Sequence, residues 1–300
     1  MEPHIPFLGE ILALGTAITW AFAVILFKRS GETVHPIALN TYKNILAGLL
    51  LIPTIYLFGQ SLFYDAPQKD YWLLLISGAL GIGLADTFFF KSLNLLGAGL
   101  TAIVDCLYSP SIIFLAFILL GESLTLLQII GAILIISAIL AAATKKGRGS
   151  LDKRSFLLGL MYGALGMFTM AIGIVMIDDI LKRSPLLWVT EIRIFGGLVI
   201  LLINIALHRR RKAIVKSVMT KTGWKYTFWG SVLGTYLALI MWLGGMKYTQ
   251  MSTAAVLNQT SNIFIFIFAA LLLKERLTMM KVAGILLAVG GVILVILGKP

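Results

Sequence analysis

Apolar residues run along this chain in long blocks separated by short polar breaks, with no stretch of strict alternation. Ten blocks stand out, at approximately residues 8–27, 37–58, 71–90, 100–120, 126–143, 155–177, 186–207, 226–243, 253–272 and 282–297. Runs of about 18 or more apolar residues are long enough to cross a bilayer as helices. Lipid offers the backbone no hydrogen-bond partners, so only helices or closed barrels can span it. Without the period-two pattern of a barrel strand, the chain reads as an all-α membrane protein with ten transmembrane helices.

The polar punctuation recurs along with the blocks. Residues 100–143 and 253–296 share one layout at a constant offset: Glu122 falls on Glu275, Leu124-Thr125 on Leu277-Thr278, Gly131 on Gly284, Asp105 on Asn258 and Ala102 on Ala255. Earlier positions match at a slightly shorter offset, His35-Pro36 on Ser184-Pro185, Thr41 on Thr190, Asn44 on Arg193 and Gly48 on Gly197. Such recurrence marks an internal duplication. The polar break Thr144–Arg154 divides the chain into a first repeat (residues 1–147), a connecting loop (148–154) and a second repeat (155–300). With an odd number of spans in each, the two five-helix repeats lie in opposite orientations, a construction found in many secondary transporters.

Composition agrees with the pattern. Of 300 residues, 59% are hydrophobic and only 13% charged, with a mean hydropathy of +0.96. The single cysteine, Cys106, excludes a disulfide framework and any multi-cysteine metal site. His4, His35 and His208 lie far apart in sequence, and no cofactor is expected. The net charge of +12 would point to nucleic acid in a soluble protein, but here the positive charge sits in loops and no nucleic-acid partner is expected. Most of the 25 Lys and Arg fall in loops 1–2, 3–4, 5–6, 7–8 and 9–10, notably Lys145, Lys146, Arg148, Lys153 and Arg154 and the run Arg209-Arg210-Arg211-Lys212. The opposite side carries Lys69, Lys182, Arg183, Lys247 and Lys299. The positive-inside rule puts the basic side in the cytoplasm and both termini outside. Contact with anionic lipid is a second use for the same charges. The beginning of the chain is not basic and no small-residue cleavage site follows the first apolar run, so that run reads as a retained span.

Five ionisable residues fall within spans: Lys43, Asp86, Asp105, Glu191 and Arg193. Charges at such depth are costly, face the bundle interior and often mark substrate or proton routes. At about 1.5 Å per residue, Lys43, Asp105 and Asp86 lie roughly 9, 8 and 6 Å in from the basic side. Glu191, Arg193, Asn258 and Gln259 enter from the other. Lys43, Asn44, Asp86 and Asp105 are therefore expected to line the inner end of a central cavity, and Glu191, Arg193, Asn258 and Gln259 the outer end. Asp86 and Asp105 are the candidates for proton coupling. The competing reading makes these residues structural ion pairs that fasten helices together. Trp20, beside Thr16 and Thr19, is a candidate stacking surface, and Tyr108 and Trp242 join the cavity set. Pro110 is expected to kink the helix 100–120, and with Ser261-Asn262-Ile263 in the second copy the kink is expected in the first repeat alone. Glu122 and Glu275 are expected to cap the helices that follow them. Gly78, Gly81 and Gly83, with Gly284, Gly290 and Gly291, are expected to permit close helix contact, with dimerisation through the last helix of each repeat as an alternative.

The segments GESLTLLQIIGAILIISAIL and KERLTMMKVAGILLAVGGVIL, the small-residue starts GAGLTAIV and MSTAAVL, and the inverted ten-helix layout resemble the EamA-type branch of the drug/metabolite transporter superfamily. The resemblance covers nearly the whole chain. It implies a basket-like bundle with a central cavity between helices 1–4 and 6–9, and helices 5 and 10 at the periphery. It also implies movement of a small, amino-acid-like or otherwise polar or amphipathic metabolite across the plasma membrane by alternating access, in the direction of export. The expected partners are that solute and membrane lipid, with the protein a monomer or homodimer. The rival function, an integral-membrane enzyme acting on a lipid or isoprenoid, would need paired carboxylates for a metal or an activated nucleophile. Asp178-Asp179 is the only adjacent acidic pair, and it reads as a solvated helix cap.

Overall fold

The computed structural model describes residues 7–120, 125–142, 151–218, 223–249, 254, 257–276 and 278–298. Among them the regular structure is helical throughout. The helices are α1 (Leu8–Ser30), α2 (Pro36–Leu57), α3 (Gln68–Leu96), α4 (Ala98–Asp105), α5 (Tyr108–Leu120), α6 (Leu126–Ala142), α7 (Lys153–Val175), α8 (Asp178–Arg183), α9 (Leu186–Leu207), α10 (Arg211–Val218), α11 (Trp224–Tyr248), α12 (Ser261–Leu272) and α13 (Met279–Leu297). Five of them, α1, α3, α7, α9 and α11, are long and apolar enough to cross a membrane, and shorter apolar helices accompany them. The 22 residues of α2 are long enough as well, but its first half carries Asn40, Thr41, Lys43 and Asn44, all turned inward and buried. Large apolar side chains such as Leu49, Leu57, Leu140, Leu202, Leu207 and Leu286 lie on the outside. A soluble monomer rarely exposes apolar surface on that scale; a lipid solvent removes the cost.

Helix contacts come in matched pairs. α1 packs on α11 as α7 packs on α3; α1 meets α12 as α7 meets α5; α2 meets α11 as α9 meets α3. α6 and α13 pack on each other, backbone to backbone: a Cβ at Gly291 would lie 2.6 Å from the Gly131 carbonyl. Gly131 and Gly291 thus serve a contact within the chain, whereas Gly290, expected to do the same, faces open space. α3 and α9 are equally close, since a Cβ at Gly78 would collide with the Arg193 carbonyl.

Two further irregularities repeat. α3 contains a π-helical segment at Ala79–Ala85, and α11 contains one at Val232–Leu237. A π turn inserts a residue, disturbs the carbonyl ladder and is frequent at functional sites. In α3 the freed carbonyls of Ile82 and Gly83 accept from Asn40 Nδ2 at 2.8 and 3.1 Å. The segment expected as one helix over 100–120 is two, α4 and α5, broken at Cys106-Leu107. The break recurs at Thr260, before α12, with equivalent turn bonds, Leu107 N to Val104 O and Thr260 N to Leu257 O. This corrects the expectation of a one-sided proline kink. Pro110 sits in the first turn of α5, where its missing amide hydrogen costs nothing, and the interruption does not depend on it.

Loop contacts sort into two faces. On one, Ser30 bonds Thr227 at 2.6 Å, the rings of His35 and His208 lie 6.2 Å apart, Arg29 donates to the Leu272 carbonyl at 2.8 Å, and Glu275 accepts from Ala98 N and Gly99 N at 2.8 and 3.1 Å. On the other, Thr249 bonds Glu10 at 2.7 Å, Arg183 pairs with Asp70 at 2.8 Å, Lys247 donates to the Ser184 carbonyl at 2.7 Å, and Thr125 to that of Gly298 at 2.6 Å. Glu275 therefore caps α4, not the helix that follows it as expected, because the loop folds back over the free amides of a neighbouring helix. Glu122 lies outside the described residues.

Candidate functional site

Polar side chains pointed inward from short-loop-linked helices must meet somewhere, and they meet in a cavity of about 130 Å³ at the centre of the bundle. One water needs roughly 10–15 Å³ of such space, so the cavity admits a small solute. Thr16 and Trp20 reach it from α1, Lys43 and Asn44 from α2, Asp86 from α3, Asp105 and Tyr108 from the α4–α5 break, Arg193 from α9, Thr235 and Trp242 from α11, and Asn258, Gln259 and Ser261 from the break before α12. Ile82, Phe89, Met167, Met170, Ala238 and Leu239 supply its apolar wall.

Ten of the eleven expected residues line this space. The two expected layers are not separate, since residues of both line the same cavity. Glu191 is the exception. It turns from the cavity toward α2, where a Cβ at Gly48 would lie 3.4 Å from its Oε1. The 3.6-residue helical period explains this: two residues from Arg193, Glu191 points more than a quarter turn away.

Lys43 Nζ and Asp86 Oδ2 form an ion pair at 2.6 Å, with the Lys43 side chain 3% and the Asp86 side chain 12% exposed. Asn44 donates to the backbone and side-chain oxygens of Asn40 at 2.8 and 2.9 Å. Asn40 also donates to Thr87 Oγ1 at 3.0 Å, so a buried polar ladder ties α2 to the π segment of α3. Asp105 and Cys106 face Asn262, which donates to Gln259 Oε1 at 2.6 Å. Gln259 in turn donates to Ser109 Oγ at 3.3 Å, bridging the two helix breaks. Trp20 packs on Phe89, ring centres 5.7 Å apart, and edge-on to Phe27 at 6.4 Å. Arg193 is 1% exposed; its Nε donates to Ser77 Oγ at 3.0 Å.

Sequence reasoning passed over Ser77, Asn40, Thr235 and Ser261. The expected duplication carried a signal for two of them. At the offset that relates Asp105 to Asn258, Ile82 corresponds to Thr235 and Tyr108 to Ser261, and all of these line the cavity. Asp178 and Asp179 pair with Lys182 and Arg183 one turn on, at 2.6 and 2.9 Å. Among the described residues no cluster of His, Cys, Asp and Glu has a metal-site arrangement.

The sequence profile of the EamA-like transporter family matches the chain twice, over residues 7–144 and 157–297. An uncharacterized transporter of Archaeoglobus fulgidus is 25% identical over 96% of this chain and 97% of its own length. Protein PecM of Dickeya dadantii is 24% identical over 87% of this chain and 82% of its own. An uncharacterized transporter of Methanothermobacter thermautotrophicus is 22% identical over 97% and 87%. A solved crystal structure superposes with a TM-score of 0.70 at 16% identity, covering 95% of each chain, a likeness of fold.

Proposed function

The chain belongs to the EamA-like transporter family, within the drug/metabolite transporter superfamily, and from that premise we propose that it is a secondary transporter that exports a small metabolite by alternating access. It is an integral, multi-pass membrane transporter; the solute class, the direction and the cycle are the proposal. One observation carries it: a solute-sized cavity, apolar in wall and polar at chosen points, lies where both halves of the chain contribute side chains. We take those halves as two five-helix repeats in inverted orientation, ten spans in all, which accounts for the paired helix contacts, the paired π segments and the paired breaks.

In this scheme the Lys43–Asp86 pair fastens α2 to α3 on the basic face and acts as a gate, while Asp105 accepts and releases a proton as the cavity changes face. Small rocking of one repeat against the other would hinge where helices are already interrupted, at Cys106-Leu107 and Thr260. The basic face is cytoplasmic, the termini extracytoplasmic and the membrane the plasma membrane. The enzyme alternative finds no support in the site, whose acids are engaged with Lys43 and with amides rather than with each other. Purified protein in liposomes should move at least one solute of a metabolite panel against empty-liposome controls. Turnover of a lipid with no flux of any solute would replace the transporter reading with the enzymatic one.

A further inference from the structure

Arg193 stands in the cavity wall with both terminal nitrogens unpaired. Burying a guanidinium is costly unless its donors are engaged, yet its Nη1 and Nη2 have no hydrogen-bond partner among the described residues. The two carboxylates in the cavity wall do not supply one: Asp86 is taken by Lys43 at 2.6 Å, and Asp105 faces Asn262. The side chain is nonetheless held in place. Ser77 fixes its Nε at 3.0 Å and is itself anchored by donating to the Gly173 carbonyl at 2.5 Å. That leaves the two terminal nitrogens as a free planar edge, the geometry that takes a carboxylate through two parallel bonds. Gly81 keeps the approach open, since a Cβ there would lie 3.2 Å from Nη2. Tyr108 Oη, Thr235 Oγ1 and Trp242 Nε1 line the same cavity, buried and equally without partners. Arginine and tryptophan can only donate, so the vacant positions call for an acceptor.

We infer that Arg193, with Tyr108, Thr235 and Trp242, is a binding subsite for the carboxylate of the transported solute. The solute class is then a small monocarboxylate whose apolar body rests on Trp20, Phe89 and Met170. This inference rests on the transporter reading and narrows it.

The test uses the full-length protein in lipid nanodiscs and liposomes. The probes are aromatic and aliphatic amino acids, their deaminated carboxylic acids, and the matching amides and alcohols. Ligand-induced thermal shift and tryptophan fluorescence report binding; radiolabelled probes report flux. A subset of carboxylates should bind and be moved, with the matching amides at least tenfold weaker. Arg193→Gln should lose that binding at least tenfold, while the unliganded variant unfolds at the same or a higher temperature, because an unpaired buried charge has been removed. Arg193→Lys should recover only part of the affinity, since an ammonium lacks the fork. A residue with a purely structural role would give the reverse, a less stable variant with unchanged selectivity. Flux of neutral or cationic probes with no preference for carboxylates, or full carboxylate binding by Arg193→Gln, would overturn the subsite and leave the transporter standing. No flux of any probe would overturn both.

Discussion

The Lys43–Asp86 pair sets a quantitative test. At 2.6 Å, with side chains 3% and 12% exposed, the gross attraction at an effective dielectric near 20 is roughly 6 kcal/mol. Desolvating both ions consumes most of it, so the intact pair contributes little net stability. Removing one partner is different, because the other stays buried with its desolvation uncompensated, at a cost of about 3–5 kcal/mol. Lys43 would retain only its weak contact over the Phe90 ring, 5.8 Å from the centroid, about 0.5–2 kcal/mol. Lys43→Met and Asp86→Leu should therefore each lose about 3–5 kcal/mol in equilibrium unfolding from mixed micelles. The double variant should return to within about 1 kcal/mol of the parent, giving a large coupling energy in the double-mutant cycle. It should fold yet fail in liposome flux, because a gate needs the charges and the fold does not. Additive losses, or single losses below about 1 kcal/mol, would refute the reasoning and make the pair a solvated contact.

Asp105→Asn should insert and fold as the parent does but lose most of its pH-dependent flux; parental flux would remove Asp105 from the proton route. Glu275→Ala should cost about 1 kcal/mol, since it frees the Ala98 and Gly99 amides at the start of α4, measurable as a lowered unfolding midpoint. Burial, with His208 and Lys91 as like charges, holds the His35 imidazole below its ordinary value, and its Nδ1 accepts from Ile37 N at 3.3 Å. The folded state thus binds the proton less readily than the unfolded chain, so stability is full above the ordinary value of about 6.5 and falls as pH drops through it. His35→Asn, which keeps a capping oxygen, should flatten that decline. Cysteines at Arg209 and Asp65, both exposed, should label from opposite faces with an impermeant maleimide, Asp65 alone in intact cells. Cys106, fully buried, should stay silent, and labelling of Arg209 alone would reverse the orientation.

The sequence by itself determined the helical class and the membrane solvent and supplied the ground for the proposed duplication, because each is written in one dimension. Apolar run length sets the span, and punctuation at a fixed offset sets the repeat. It also marked most of the cavity, since a charge inside an apolar helix has few places to go but inward. Tertiary structure decided what a one-dimensional pattern does not hold. Glu191 and Arg193 look alike by depth, but only the helical rotation of α9 sends one toward Gly48 and the other into the cavity. Glu275 reads as the cap of its own helix, and only the fold of the loop hands it to α4. The breaks at Cys106-Leu107 and Thr260 share turn bonds but no proline, since position 263 is Ile where the first copy has Pro110, so residue type alone did not announce them. Whether a cation's donors are engaged, as for Lys43, or open, as for the terminal nitrogens of Arg193, depends on ångström separations between helices far apart in the chain.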